Sequence, residues 1–342
     1  MIYIENPYTD PGLNLAIEET IFSSGADNDS VLILWRNNNA VIVGRYQNTY
    51  EQINAAAVEE LGVSVVRRNT GGGAVYHDLG NLNYTFITST DNLAQVDFKN
   101  FALPVVRALH KLGAKVELSG RNDILLEGRK ISGTAQTCVG NKVLFHGTLL
   151  FDSNLGLVER LLKVSDAKLK SKGIPSIRSR VTNIRPFLDA ECDISEFSRL
   201  ILKCIGDEQS LSKRVLSPGE IGASQLLGRS KYETWAWNYG ESPPANYRSE
   251  CKLSCGNLSL NLQLENGLIM SCVFFGDFLG LGDLGPLERA LGGIPYNHSA
   301  VAEIIDAFDL NHLFGGLSSS ELLPLFFSPD EQPLKQEQYT HE

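Results

Sequence analysis

The side chains best able to do chemistry are concentrated in one stretch, Arg67-Arg68-Asn69-Thr70-Gly71-Gly72-Gly73-Ala74-Val75-Tyr76-His77-Asp78. Two arginines end an apolar run, and three glycines follow. A glycine triplet lets backbone N–H groups come close to a ligand and take positive φ. The neighbouring guanidinium forks suit phosphate or carboxylate. The combination reads as a site for a flat, anionic ligand such as a nucleotide. It is not a P-loop and not the GxGxxG dinucleotide fingerprint, because strand-like sequence follows it. The plainer reading of a bare Gly-Gly-Gly is a hairpin turn with solvated arginines.

A second block is Gly120-Arg121-Asn122-Asp123 with Arg129-Lys130-Ile131-Ser132-Gly133-Thr134-Ala135. An aspartate at a strand start can hold a lysine or a metal ion. A two-strand hairpin would bring Lys130 close to Asp123. A third block, Phe145-His146-Gly147-Thr148-Leu149-Leu150, is an apolar strand with one histidine. Such a histidine is more often a satisfied core residue than a catalyst, so His146 is read as lining only, and His77 is treated likewise. A fourth block is basic: eight Lys and Arg lie between Arg160 and Arg185 against one acid, Asp166. It reads as a solvated face, or as a loop that covers a phosphate. It lacks the interleaved aromatics of a nucleic-acid surface.

These blocks together resemble the lipoate–protein ligase family. The first matches its RRxSGGGAV(F/Y)HD signature with Thr70 in place of Ser, which keeps the hydroxyl. Lys130 to Ala135 resembles the KxSGxA pattern. Phe145 to Leu150 resembles HHGTLL with Phe145 in place of the first His. Lys172 to Asn183 resembles the adenylate-binding loop KGIxSVRSRVTN. The resemblance implies two steps: ATP converts lipoate to lipoyl-AMP, then a lysine amine of an acceptor protein takes the lipoyl group. It implies nucleotide contacts from Arg68, Gly73, Ala74, Val75, Tyr76, Asp123, Lys130, Arg178 and Arg180. Lipoate contacts are expected from Gly72, Lys130, His146 and Gly147, with room for the acyl chain left beside the last and with Val75 and Leu149 as apolar lining. Lys130 is the expected catalytic residue, bridging acyl carbonyl and phosphate. Mg²⁺ is the expected metal, with Asp123 beside it. The implied acceptors are 2-oxoacid dehydrogenase E2 lipoyl domains and the glycine-cleavage H protein.

The alternative from the same superfamily is an ATP-independent octanoyl or lipoyl transferase with a cysteine nucleophile. That cysteine would sit two residues before Phe-His-Gly, where this chain has Val143; Cys138 is out of register. A biotin ligase would show a GRGRxG-type loop in place of Asn69 to Gly73. A binding module without turnover would not need Lys130.

The elements that must hold these residues are short. Strand-like runs are expected at 31–35, 40–44, 63–68, 82–88, 115–118, 123–126, 130–132 and 142–151. Helices are expected at 13–22, 51–61 and, despite Pro104, 96–112. Adjacent strands with short turns predict an α+β fold, with mixed, largely antiparallel sheets and flanking helices. The resemblance makes this the biotin/lipoate ligase fold, related to class II synthetases, with a small α+β C-terminal domain. The expected domains are 1–240 (catalytic), 241–247 (a Pro-rich linker), 248–330 (accessory: three strand-like runs, then two helices) and 331–342 (a polar tail).

Composition sets the outer bounds. The chain has 342 residues, 43% hydrophobic, with net charge −10. That is room for about two domains. The charge argues against nucleic acid as a partner. No apolar run approaches the ~18 residues of a membrane span, and Met1 to Gly12 lacks a basic n-region. Six cysteines in a chain this long do not form a disulfide framework. A cytoplasmic protein is expected.

Overall fold

In this computed structural model, residues 1–24, 30–90, 97–120, 122–163, 180–208, 210–239 and 247–327 are described. They divide into two compact units. The first comprises Met1–Arg45, Thr49–Asn69 and Ala74–Gly240, and the second Tyr46–Asn48, Thr70–Gly73 and Glu241–Glu342. The architecture is mixed α+β.

The first unit is built on an eight-stranded sheet. Its strands are β1 (Ile2–Glu5), β2 (Val31–Trp35), β6 (Asn81–Ser89), β7 (Val116–Ser119), β8 (Asp123–Leu126), β9 (Arg129–Val139), β10 (Lys142–Leu150) and β11 (Ser212–Val215), in the order β11-β1-β2-β6-β10-β9-β8-β7. β1 runs parallel to β2 and β11, and the other pairs are antiparallel. A smaller sheet joins β3 (Ala40–Val43), β4 (Ser64–Arg67) and β5 (Val75–His77), with β5 at one edge.

Helix α1 (Pro11–Ser23) follows β1. Proline near its first turn pre-sets φ, and Asp10 caps it by accepting from Leu13 N at 2.7 Å. It packs against one face of the large sheet and against the small sheet, in a core that holds Ile17, Ile33, Trp35, Ile42 and Val66. The opposite face of the large sheet buries Tyr84, Phe145, Leu149 and Phe151 with Val105 of α4 (Phe98–Lys111) and, after the short α5 (Leu155–Leu161), Phe197 of α6 (Ile194–Gly206). Pro104 sits inside α4 without ending it.

The expected helix at 51–61 is two short pieces, α2 (Thr49–Gln52) and α3 (Ala55–Glu60), because Asn54 caps a fresh start. β1 and β11 were not expected, and β5 is the strand-like sequence expected after the glycines. β5 has three residues, and β11, at the edge, is largely exposed and reads Ser-Lys-Arg-Val.

The second unit carries an antiparallel meander of β12 (Tyr247–Leu253), β13 (Gly256–Glu265) and β14 (Leu268–Gly276). Four short helices, α9 to α12, pack on it: Gly285–Leu291, His298–Asp306, Leu310–Phe314 and Ser319–Phe326. Most of the expected linker and all of the expected tail lie outside the described residues. Among the described residues, no helix is long and apolar enough to cross a membrane.

Candidate functional site

Lys130 and Asp123 come together as the hairpin reading required. β8 and β9 are joined by Glu127 and Gly128, both at positive φ, which is the backbone a tight hairpin needs. The register then slips: Ser132 faces Ile124 while Lys130 faces Leu125, so Ile131 is a bulge. A bulge re-aims the side chains next to it. Lys130 Nζ ends 2.6 Å from Asp123 Oδ1, both side chains about a quarter exposed. The ion pair is close but off hydrogen-bond direction. The amine also crosses Gly133, where a β-carbon would stand 2.8 Å from Nζ.

Beyond the end of β10, a different segment takes the place beside Lys130. Lys130 N donates to Arg180 O at 2.8 Å, and Thr182 N donates to Lys130 O at 3.0 Å. The Arg180 guanidinium is 4.0 Å from Asp123 Oδ2. The end of the basic block and the lysine strand are thus one structure. Arg178 and the rest of that block from 164 to 179 lie outside the described residues, as does Arg121.

The two arginines at the end of β4 differ in role. Arg67 is a structural clamp: its guanidinium donates to the carbonyls of Gly44, Arg45, Trp237 and Asn238 and to Thr49 Oγ1. Arg68 is buried, donates to Ile42 O at 3.2 Å, and lies in the field of Glu18. Burial is the main cause holding each arginine down at about 10, still charged at neutral pH.

The glycines divide similarly. Within the second unit, Gly72 (φ +89°) donates its N–H to Phe278 O at 3.0 Å. A β-carbon at Gly71 would stand 2.3 Å from that same oxygen. The Gly72 amide expected to face lipoate is therefore engaged by Phe278, and Gly71 is glycine for close packing. Gly73 has open space on its β-carbon side. After it, Ala74 leads into β5. Val75 and Tyr76 pair with Ile42 and Val41 on one side, and among the described residues β5 has no further strand on the other. Tyr76 itself is buried, with its hydroxyl donating to Asn39 Oδ1.

His146 projects from β10 onto the α1 face, where Nδ1 lies 2.9 and 3.0 Å from the two oxygens of buried Glu18. Glu18 also accepts from Thr85 Oγ1 at 2.6 Å, and Thr85 accepts from Trp35 Nε1 at 2.8 Å. His146 is thus a satisfied, carboxylate-paired histidine. His77 is buried with Nδ1 3.1 Å from Asn37 Nδ2 and Nε2 without a hydrogen-bond partner. Two expectations fail here. The room expected beside Gly147 is taken by Tyr84, which a β-carbon placed there would meet. Leu149 points into the core with Phe145, on the face away from His146.

Among the described residues, no group of three or more His, Cys, Asp and Glu side chains could hold a metal ion. Asp123 does suit Mg²⁺ bound mainly by phosphate oxygens, which needs only one or two protein carboxylates. Cys138 is half-buried, and burial pushes its thiol up to about 11, against a nucleophilic thiolate. The sequence reading missed Glu18, the clamp role of Arg67, and the Glu19–Lys231–Tyr232 cluster around Asn69. Two adjacent glutamates in an otherwise apolar helix were the available signal for the first and last.

Comparison with known proteins gives a consistent picture. The model of the lipoyl protein ligase A/B catalytic domain matches residues 10–206, and that of the bacterial lipoate protein ligase C-terminus matches 242–326. Lipoate-protein ligase LplJ of Bacillus subtilis (strain 168) is 42% identical over 331 residues, covering 96% of this chain and 100% of its own. Lipoate–protein ligase 1 of Staphylococcus aureus is 42% identical over 320 residues, covering 94% and 98%. Among solved structures, a lipoate-protein ligase A bound with ATP is 28% identical at TM-score 0.60, over 70% of this chain and 98% of that one. A bipartite ligase of Thermoplasma acidophilum with its E2 lipoyl domain is 29% identical at TM-score 0.61, over 71% and 97%.

Proposed function

The chain belongs to the lipoate–protein ligase family of enzymes, and from that premise we propose that it joins lipoate to an acceptor lysine in two ATP-driven steps. Lipoate carboxylate attacks the α-phosphate of ATP, the bond to pyrophosphate breaks, and lipoyl-AMP remains. The ε-amine of an acceptor lysine then attacks the acyl carbonyl. AMP leaves and an amide forms. Support for the ATP requirement comes from the ATP-bound relative.

The observation that carries this reading is the convergence of Lys130, Asp123 and Arg180. Both steps build negative charge on phosphate or carbonyl oxygen, and prepositioned cations stabilise it without reorganisation. Lys130 serves as that cation, aimed by Asp123 and by the bulge at Ile131. It is not a nucleophile. Arg180 adds a second charge, and Arg178 is assigned to the same phosphate. Arg68, Gly73 and the β5 backbone at Ala74, Val75 and Tyr76 hold the nucleotide. His146 lines the acyl side and Val75 contributes apolar surface. Mg²⁺, carried with ATP, neutralises phosphate charge, and Asp123 would hold it. Residues 1–240 then form the catalytic domain and 248–330 the accessory one.

Activation answers two handicaps of the uncatalysed reaction. A carboxylate is a poor acyl donor, and with a pKa near 10.4 only about one lysine in 2,500 is free amine at pH 7. The acceptor is assigned to lipoyl domains of the E2 type, as for the Thermoplasma relative, with the glycine-cleavage H protein as a second candidate and the cytoplasm as the site of action. The test is mass spectrometry of an E2 lipoyl domain incubated with the enzyme, lipoate, ATP and Mg²⁺. One lipoyl group on one lysine, absent without ATP, is expected. Modification that proceeds equally without ATP would overturn the proposal.

A further inference from the structure

Asn69, two residues before the first glycine of the triplet, is held in a closed ring of hydrogen bonds. Lys231 Nζ donates to Glu19 Oε1 at 2.9 Å, to Glu19 Oε2 at 2.8 Å and to Asn69 Oδ1 at 2.8 Å. Asn69 Nδ2 donates to Tyr232 OH at 2.8 Å, and that hydroxyl donates to Glu19 Oε2 at 2.6 Å. Both ends of one amide side chain are thereby fixed, one as acceptor and one as donor. Burial alone would raise the Glu19 carboxyl, yet bonds from Lys231, Tyr232 and Asn69 hold it below its ordinary range.

The ring depends on an unusual turn. Helix α7 (Pro218–Leu227) continues as a π-helical turn, Gly228–Tyr232, before α8 (Trp235–Asn238). Such turns are rare and widen the helix locally. Lys231 and Tyr232 close this one. Further along, Trp237 Nε1 donates to Arg67 O at 2.8 Å, and Arg67 N donates to Asn238 Oδ1 at 2.9 Å. Lys231 Nζ also lies 4.1 Å from the centre of the Trp237 ring. The segment 228–238 therefore grips Arg67 through its backbone and Asn69 through its side chain, with Arg68 between them.

We propose that Glu19, Lys231 and Tyr232 are positioning residues for nucleotide binding: they hold Asn69, and so Arg68, in the geometry that receives ATP. None of the three touches the nucleotide. The inference rests on the nucleotide reading of Arg68 given above. It accounts for a conspicuous feature, a lysine, a tyrosine and a carboxylate converging on one asparagine.

The test uses the full chain in lipoate-dependent ATP–pyrophosphate exchange, with Tyr232→Phe and Lys231→Met. Tyr232→Phe removes the ring's hydroxyl and keeps the aromatic packing, so it guards against a variant that merely fails to fold. Each is expected to raise KM for ATP about tenfold with KM for lipoate within about twofold. In the ligand-free protein, amide hydrogen exchange of a peptide spanning residues 66–73 is expected to quicken in both. If KM for ATP is unchanged, or if the two KM values rise together as general loosening would make them, the proposal is overturned. A wild-type chain without any ATP–pyrophosphate exchange overturns the ligase reading itself. The hydrogen-exchange arm then still decides whether the ring holds this segment, and unchanged exchange rejects it.

Discussion

The amine of Lys130 occupies the space where a side chain on Gly133 would begin, 2.8 Å from the position of its β-carbon. The glycine of the Lys130–Ala135 motif is thus explained by the lysine three residues before it. Its φ is not positive, so backbone freedom is not the reason. Gly133→Ala should displace the Nζ end, which is flexible, and spare the fold. Adenylate formation is expected to fall about 10- to 100-fold, with a melting temperature within about 4 °C of the parent. A variant with normal pyrophosphate exchange would mean that Lys130 acts from another position.

His77 predicts an acid-sensitive fold. Asn14 Nδ2 donates to Asn37 Oδ1, so Asn37 Nδ2 faces His77 Nδ1 as donor, and the ring is neutral with its hydrogen on the unpartnered Nε2. Burial first, then Arg68 and His146, pushes His77 from 6.5 down to about 3. The unfolded chain binds this proton below about 6.5, while the folded chain refuses it until about 3. Stability is therefore full above that window and falls as pH drops through it, by about 1.4 kcal/mol per pH unit at most. Urea midpoints between pH 6.5 and 4 should decline less steeply in His77→Gln than in the parent. Equal slopes would show that His77 titrates normally.

Cys138 offers a test between chemical routes. Its thiol is pushed up by burial, to about 11. Cys138→Ser should lipoylate an acceptor at a rate within about twofold of the parent, because a thiol at that pKa is almost wholly protonated at neutral pH. A hydroxylamine-labile acyl group on Cys138 during turnover would instead indicate a thioester intermediate.

What could be read from sequence, and what could not, follows from the range of the interactions. Asp123 and Lys130 were legible because a short hairpin brings them together, and the strand register needs only local pattern. Their link to Arg180 followed from the resemblance and is made by backbone bonds that no side-chain pattern announces. Arg67 and Arg68 look equivalent in sequence. They part company because the carbonyls that absorb Arg67 come from residues 44–45 and 237–238. Gly71 and Gly72 read as ligand glycines, and their actual partner, Phe278, belongs to a distant stretch of the chain. Gly147 misled for the same reason: the occupant of its open side, Tyr84, sits on the neighbouring strand β6. Glu18 and Glu19 are adjacent and look alike in sequence. Only the fold shows that one serves His146 and the other Asn69.

The account stands most directly on Lys130 as the cation that supports adenylate formation. The deciding measurement is lipoate-dependent exchange of labelled pyrophosphate into ATP, with no acceptor present, by the parent and by Lys130→Ala. Its ion pair with Asp123 is partly exposed and contributes only about 0–1 kcal/mol, so the variant should fold. The parent is expected to exchange, and the variant to lose about 10²- to 10³-fold in rate with an unchanged melting profile. Near-normal exchange by folded Lys130→Ala would contradict the account.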